Sequence, residues 1–142
     1  MDKTDKDQAM YWQLMQLMFQ GKHRSYQIAE KFDLTLMQSS ALTMLSQDEP
    51  KAMRTLSDYF MCDASTVTGL VDRLENRKLI ARSNHPTDRR VKLLALTSQG
   101  AAIKAAILAE TLKAEEERLN SILTKDERAT LRTLLDKLLN EQ

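Results

Sequence analysis

The feature that most constrains the fold is a helical apolar stripe that is followed at once by two short strand-like runs. Within residues 64–77 the apolar residues recur at steps of three and four: Val67, Leu70, Val71 and Leu74. At 100° per residue these positions share one side of a helix, which predicts an amphipathic helix with that side buried. Asp63 immediately precedes the segment and has a side chain suited to an N-cap.

Two apolar runs separated by a polar segment follow this helix. Residues 79–82 and 91–96 carry the apolar residues, and residues 83–90 contain Asn, Pro, Asp and two Arg. A strand, a polar turn and a second strand predict a β-hairpin. Residues 53–97 therefore predict a helix-turn-helix that ends in a hairpin wing.

Helical periodicity accounts for most of the remaining chain. The further predicted helices cover about residues 5–31, the segment after Thr35, residues 53–61, residues 99–121 and the segment after Thr124. Thr35 and Thr124 each begin a capping box, which marks a helix start. In the short third helix, Leu56 and Phe60 are predicted to be buried. The predicted fold class is mainly α with a small β-hairpin wing, in which flanking helices surround a winged helix-turn-helix core.

Composition and charge narrow the kind of partner. The 142 residues carry a net charge of only +1, but residues 66–92 hold seven basic and three acidic residues. A basic segment in a slightly acidic chain suits local phosphate binding. The single cysteine, Cys62, cannot form an internal disulfide, and no apolar run resembles a signal peptide or a bilayer span. We expect a cytoplasmic protein with no membrane association and no cofactor.

The outer face of the predicted helix 64–77 has the chemistry of a surface that reads DNA. It carries Ser65, Gly69, Asp72 and Asn76, flanked by Thr66, Thr68 and Arg73. Short polar side chains and a glycine let a helix enter the major groove, whereas an ordinary solvated face more often carries Lys and Glu. Arg89 and Arg90, at the hairpin tip, suit the negative potential of a minor groove.

The first and last helices predict self-association. The first contains many methionines, and the last carries a leucine stripe: Leu131, Leu134, Leu135, Leu138 and Leu139. Because both lie outside the helix-turn-helix, their apolar faces need something to pack against. Packing within the chain is one possibility, and the other is a second copy, which would place two recognition helices on a pseudo-palindromic site. The predicted organisation is an N-terminal dimerisation helix (1–34), a DNA-binding domain (35–97) and C-terminal dimerisation helices (98–142).

The segment from Asp63 to Glu75, followed by Leu79-Ile80, closely resembles the recognition helix of the multiple antibiotic resistance regulator (MarR) family. Downstream, Asp88-Arg89-Arg90 with Leu96-Thr97 and Gly100 is similar to the wing signature of that family. One departure is Lys78, which stands where the family usually has Gly, so the helix is expected to close differently. Met61 is a second departure, at a turn position where small or polar residues are common.

The resemblance implies a homodimeric regulator of transcription, most simply a repressor, that binds double-stranded DNA and is released by a small aromatic or phenolic effector. The residues it assigns to DNA binding are Ser65, Thr66, Thr68, Gly69, Arg73, Arg77, Asp88, Arg89 and Arg90. Arg90 is the wing-tip contact, and the Asp88 carboxylate holds the wing arginines in place. A turn-stabilising role for Asp88 is the alternative.

The signal that the protein senses is less constrained. Five residues are candidates for lining an effector pocket: Trp12, Met15, Phe19, His23 and Met44. Methionines adapt to varied ligands, although stripes of this kind more often form core. Two alternatives are a thiol redox sensor based on Cys62, at a helix N-terminus, and a winged helix that binds protein instead of DNA.

Enzymatic activity and metal binding are not predicted. The sequence contains no Gly-rich phosphate loop, no zinc hydrolase motif and no G-x-S-x-G elbow. His23, His85 and Cys62 do not have the spacing of metal ligands.

Overall fold

The computed structural model describes residues 3–140 and confirms the predicted fold class. The helices are α1 (Lys3–Lys31), α2 (Leu36–Met44), α3 (Met53–Phe60), α4 (Ala64–Asn76), α5 (Ser98–Ile122) and α6 (Lys125–Leu139). The strands are β1 (Lys51–Ala52), β2 (Ile80–Asn84) and β3 (Lys92–Leu96). They form one antiparallel sheet in the order β1-β3-β2.

The chain divides into two compact units within α5. The first extends through Leu108, and the second begins at Ala109. The first unit holds the helix-turn-helix, the sheet and α1, whereas the second holds the end of α5 and all of α6. The three functional segments inferred from the sequence stay a prediction.

Side-chain caps start the helices where the sequence predicts them. The Thr35 hydroxyl accepts from the backbone N–H of Gln38 at 3.1 Å, and the Gln38 side chain accepts from the Thr35 N–H at 3.0 Å. Thr124 and Glu127 form the same reciprocal pair at 3.2 and 2.8 Å. Both capping boxes are therefore confirmed, and each satisfies backbone donors that the first helical turn leaves open.

The core of the first unit is built on the apolar side of α4. All four stripe residues are buried, together with leucines and isoleucines from the surrounding elements: Val67, Leu70, Val71, Leu74, Leu42, Leu45, Leu56, Leu79, Ile80 and Leu94. Each such side chain contributes about 1.5–3 kcal/mol by leaving water. Leu56 is buried as predicted, but Phe60 is only half-buried because it ends α3 and packs at the edge of the core.

The sheet differs from the predicted hairpin in two ways. The two-residue strand β1 pairs Lys51 with Leu94 and Ala52 with Leu93, and the sequence did not predict it. The strand β2 continues to Asn84, opposite Lys92, past the predicted end at residue 82. Two residues are too few to show the alternation of a strand, and the polar end of β2 is held by its pairing with β3.

Three helix ends use a left-handed residue that is not glycine. Asp33 has φ 55°, Met61 has φ 49° and Lys78 has φ 59°. The expectation that Lys78 forces a different helix end is wrong, because Lys78 adopts the left-handed conformation that glycine would supply. Its N–H donates to the Glu75 carbonyl at 2.8 Å, and the Leu79 N–H donates to the Leu74 carbonyl at 3.0 Å. Burial of Leu79 offsets a left-handed cost of about 1–2 kcal/mol.

Large apolar side chains are uncovered on the outer helices of each unit. In α1 they are Met10, Tyr11, Trp12, Leu14, Leu17, Met18 and Phe19, and in α6 they are Leu134, Leu135, Leu138 and Leu139. Over residues 3–140, no helix is both long enough and apolar enough to cross a membrane.

Candidate nucleic-acid interface

The N-terminal turn of α4 is organised by Asp63. Its carboxylate accepts from the backbone N–H of Thr66 at 2.8 Å and from the Ser65 hydroxyl at 3.0 Å. The backbone hydrogen bond from Thr66, followed by the side chains of Thr66 and Ser65, holds the pKa of Asp63 below its usual value. An ionised carboxylate at a helix N-terminus is also stabilised by the helix dipole. The predicted N-cap is confirmed.

The outer face of α4 is exposed and small. Ser65, Thr66 and Thr68 are exposed, and the Thr68 hydroxyl donates to the Ala64 carbonyl at 2.8 Å. A Cβ added to Gly69 would meet nothing within 4 Å, so packing does not require glycine there. The face therefore presents hydroxyl oxygens around an open backbone position, a surface that another molecule can approach closely.

The strand β2 neutralises the acidic residues of this face. The Arg82 guanidinium contacts Asp72 closely and lies 4.0 Å from Glu75. Asp72 would otherwise repel a phosphate from the outer face of α4. Sequence reasoning missed Arg82, because the ten-residue separation becomes a contact only when the hairpin folds back against α4.

The tip of the wing is an ordered loop built around His85. Its Nδ1 accepts from the backbone N–H groups of Thr87 and Asp88, each at 3.2 Å. The backbone N–H of His85 donates to the Val91 carbonyl at 3.1 Å and closes the loop. The sequence signal for this role is a histidine at the strand end, followed by Pro86 in the turn.

Asp88 acts on the backbone of the wing. Its carboxylate accepts from the Arg90 N–H at 3.0 Å, which is an Asx-type turn. Among the ion pairs of residues 3–140, none joins Asp88 to the guanidinium of Arg89 or Arg90. The alternative, a turn-stabilising role, therefore describes this structure, and both guanidinium groups are left exposed at the tip.

Of the two helix arginines predicted to contact DNA, only Arg73 is exposed on α4. The guanidinium of Arg77 donates to the backbone carbonyls of Asp33 at 2.5 Å and Phe32 at 3.2 Å. In this structure the Arg77 guanidinium therefore binds the chain at the end of α1, and its contact with DNA stays a prediction.

Two cavities adjoin these elements. One, of about 450 Å³, lies between α3, α4 and the wing and is lined by residues that include Arg54, Thr68, Arg90 and Lys92. The other, of about 510 Å³, lies between α1, α2 and the end of α3 and is lined by Lys22, Ser25, Leu36, Met37, Ser40 and Phe60.

The five residues predicted to bind an effector line neither cavity. Trp12 and Phe19 are 60% and 65% exposed, and His23 is exposed, whereas Met15 and Met44 are half-buried. Their role in binding stays a prediction.

Cys62 is a half-buried free thiol beside Met61, which is 91% exposed in its left-handed turn. Within the described residues, no three His, Cys, Asp or Glu side chains are grouped to hold a metal ion. A role of Cys62 as a thiol redox sensor stays a prediction.

Comparisons with known proteins identify the family. A sequence model described as the MarR family matches residues 34–92, which contain the helix-turn-helix and most of the wing. The HTH-type transcriptional repressor NicR of Pseudomonas putida is 32% identical over 107 residues, which are 75% of this chain and 67% of its own length. The first curated relatives are matched over 52% to 67% of their own lengths.

Solved structures agree over most of the chain. Wild-type MarR from E. coli, in its apo form, is 29% identical with a TM-score of 0.78, covering 89% of this chain and 94% of that one. The MepR–DNA complex of S. aureus is 25% identical with a TM-score of 0.71, covering 93% and 97%. NicR is named as a transcriptional repressor, and another relative, from Bacillus subtilis, is named as a transcriptional regulator of organic hydroperoxide resistance, which agrees with the prediction that the chain is not an enzyme. The chain belongs to the MarR family of winged helix-turn-helix transcriptional regulators.

Proposed function

We propose that this protein is a homodimeric repressor that binds a pseudo-palindromic site in double-stranded DNA. The observation that carries the proposal is the shared cavity in which Thr68 of the recognition helix and Arg90 of the wing both take part. A duplex that receives α4 in its major groove then has the wing arginines beside the neighbouring backbone or minor groove. The likeness to a relative solved with DNA supports this reading.

The charges around this cavity favour phosphate. Arg54, Arg90 and Lys92 line it, and two acidic residues of α3 and α4 are paired: Asp58 with Arg54, and Asp72 with Arg82. Cations in this position release counterions from DNA when they bind, which gives an affinity that falls with salt. A protein that binds genomic DNA has to share its compartment, which fits the predicted cytoplasmic location.

Dimerisation supplies the affinity that one recognition helix lacks. The uncovered apolar side chains of α1, including Trp12, Leu17 and Phe19, and those of α6 are the surfaces we assign to it. Exposed apolar groups on this scale are typical of interfaces. A two-fold dimer carries two recognition helices and therefore reads two inverted half-sites.

Selection from random duplexes tests the proposal. We expect the full chain to enrich an inverted repeat whose half-sites are about one helical turn apart, and light scattering to give the mass of two chains. The affinity for that duplex should fall steeply between 50 and 200 mM salt. A monomer, or a protein that enriches no sequence, contradicts the proposal and favours a winged helix that binds protein.

We further propose that the effector occupies the cavity between α1, α2 and the end of α3. Its apolar lining from Leu36, Met37 and Phe60 suits an aromatic ring, and the Lys22 ammonium suits a carboxylate or phenolate. The volume of about 510 Å³ is within the range of small-molecule sites.

Benzoate is the probe for this site. We expect benzoate to release the selected duplex more strongly than sodium chloride does at equal ionic strength. The Lys22→Gln variant should bind DNA like the wild type but respond at least about tenfold less to benzoate, because it keeps the cavity and loses the charge. An unchanged response in that variant places the effector elsewhere.

A further inference from the structure

Arg77 joins the ends of two helices that are far apart in sequence. It is the C-cap residue of α4, and its guanidinium donates through Nη1 to the Asp33 carbonyl and through Nη2 to the Phe32 carbonyl. The two distances are 2.5 and 3.2 Å. One planar group therefore spans two successive peptide carbonyls, which is the fork geometry that distinguishes arginine from lysine.

The two carbonyls that Arg77 contacts belong to the turn that ends α1. The α1 chain turns at Asp33, which is left-handed at φ 55°, and the N–H groups of Asp33 and Leu34 return to the Glu30 and Ala29 carbonyls. The Phe32 and Asp33 carbonyls follow directly after the last residue of α1, next to the negative end of the helix dipole. A cation with two donors can hydrogen-bond to both carbonyls, and its charge is stabilised by the helix dipole.

The other end of the contact is equally constrained. Arg77 is followed by Lys78 at φ 59°, and the buried Leu79 closes α4 through its N–H bond to Leu74. The base of the Arg77 side chain is therefore fixed by the end of the recognition helix. A displacement of α1 along its axis pulls directly on α4 through this contact.

We propose that Arg77 is a positioning residue that sets the angle of the recognition helix relative to α1, and thereby the half-site spacing that the dimer accepts. This rests on the proposed function, in which α1 helps to form the dimer and α4 reads DNA. Under this proposal Arg77 determines the preference for half-site spacing and does not contact a phosphate.

The test compares Arg77→Met with Arg73→Met, since both remove a guanidinium from α4 and keep a long side chain. Each variant is measured on random duplex, on the selected operator and on operators with one base pair added between the half-sites. Arg73→Met should weaken all three and lower the salt slope by about one. Arg77→Met should keep the slope and the random-duplex affinity, bind the operator about tenfold more weakly, and lose most of its preference for the original spacing.

Hydrogen exchange tests the contact without DNA. In Arg77→Met the amides of Asp33 and Leu34 should exchange faster, whereas Arg73→Met should leave them unchanged. If circular dichroism shows that Arg77→Met does not fold, Arg77→Lys is used in its place, because lysine keeps the charge and loses the paired guanidinium donors. We expect that variant to keep the wild-type salt slope with reduced spacing preference.

The outcomes separate the two proposals. A wild-type protein that selects no spacing contradicts the proposed function itself. The role of Arg77 alone is overturned if the wild-type protein selects a spacing and the Arg77 variants select it equally well. It is also overturned if the Arg77 variants show the same loss of salt slope as Arg73→Met.

Discussion

Replacing Arg90 by alanine is expected to weaken duplex binding by roughly tenfold or more and to reduce the slope of log affinity against log salt by about one. The Arg90 guanidinium is exposed at the wing tip, beside the cavity that it shares with Thr68. The loop does not depend on that side chain, because Asp88 holds the backbone N–H of Arg90 and His85 holds those of Thr87 and Asp88. The loss of affinity is therefore attributable to the guanidinium. Binding isotherms recorded at a series of salt concentrations measure both the affinity and the slope.

Two variants control this measurement. Arg90→Lys keeps the charge and loses the planar group, so it should keep the salt slope and lose part of the affinity. Lys113→Ala removes a cation from an exposed position of α5 and should change neither. If Arg90→Ala binds as the wild type does, the wing is not part of the DNA interface.

Replacing Gly100 by alanine is expected to destabilise the protein by about 3 kcal/mol or more, a loss at the upper end of overpacking effects. An added Cβ would lie 1.9 Å from the Leu79 carbonyl oxygen and 2.9 Å from its carbonyl carbon. That carbonyl cannot swing away freely, because it accepts from the Thr97 N–H at 3.0 Å.

The surrounding hydrogen bonds make this position rigid. The Thr97 hydroxyl donates to the Lys78 carbonyl at 2.6 Å and accepts from the Gly100 N–H at 3.0 Å. Relief of the clash therefore separates the start of α5 from the end of α4. Urea unfolding at equilibrium measures the loss as a lower midpoint.

Gly69→Ala is the matched control, because it is the same substitution in another helix of the same unit. A Cβ at Gly69 meets nothing within 4 Å, so the change should stabilise the protein by up to about 1 kcal/mol. If the recognition helix enters a groove as proposed, this variant also binds DNA more weakly. Equal stability of Gly100→Ala and the wild type would contradict the packing argument.

The elements of the fold were predictable where the information is local. The stripe from Val67 to Leu74, the Asp63 cap and the two capping boxes at Thr35 and Thr124 all lie as predicted. Each depends on residues within one or two turns of one another, so periodicity and capping chemistry suffice to read them. The outer face of α4 follows for the same reason, because the position of the buried side determines the exposed one.

The tertiary structure decided the roles of individual charged and polar groups. From the sequence alone, Arg77 is a surface residue of α4, and only the fold brings the end of α1 within its reach. In the same way, Asp72 is an unpaired acid in the sequence, and only the fold places Arg82 of β2 beside it. His85 has no visible role until the hairpin closes and its Nδ1 meets two backbone donors.

The physical reason for this division is the range of the interactions. The apolar pattern that drives burial is written along each helix, so the sequence by itself determined the helix-turn-helix, the wing and the buried face of α4. Hydrogen bonds and ion pairs require partners within about 3–4 Å, and residues more than forty positions apart, such as Asp33 and Arg77, meet only in the folded chain. Only the tertiary structure could therefore separate the arginines that are open to DNA from the one that holds two helices together.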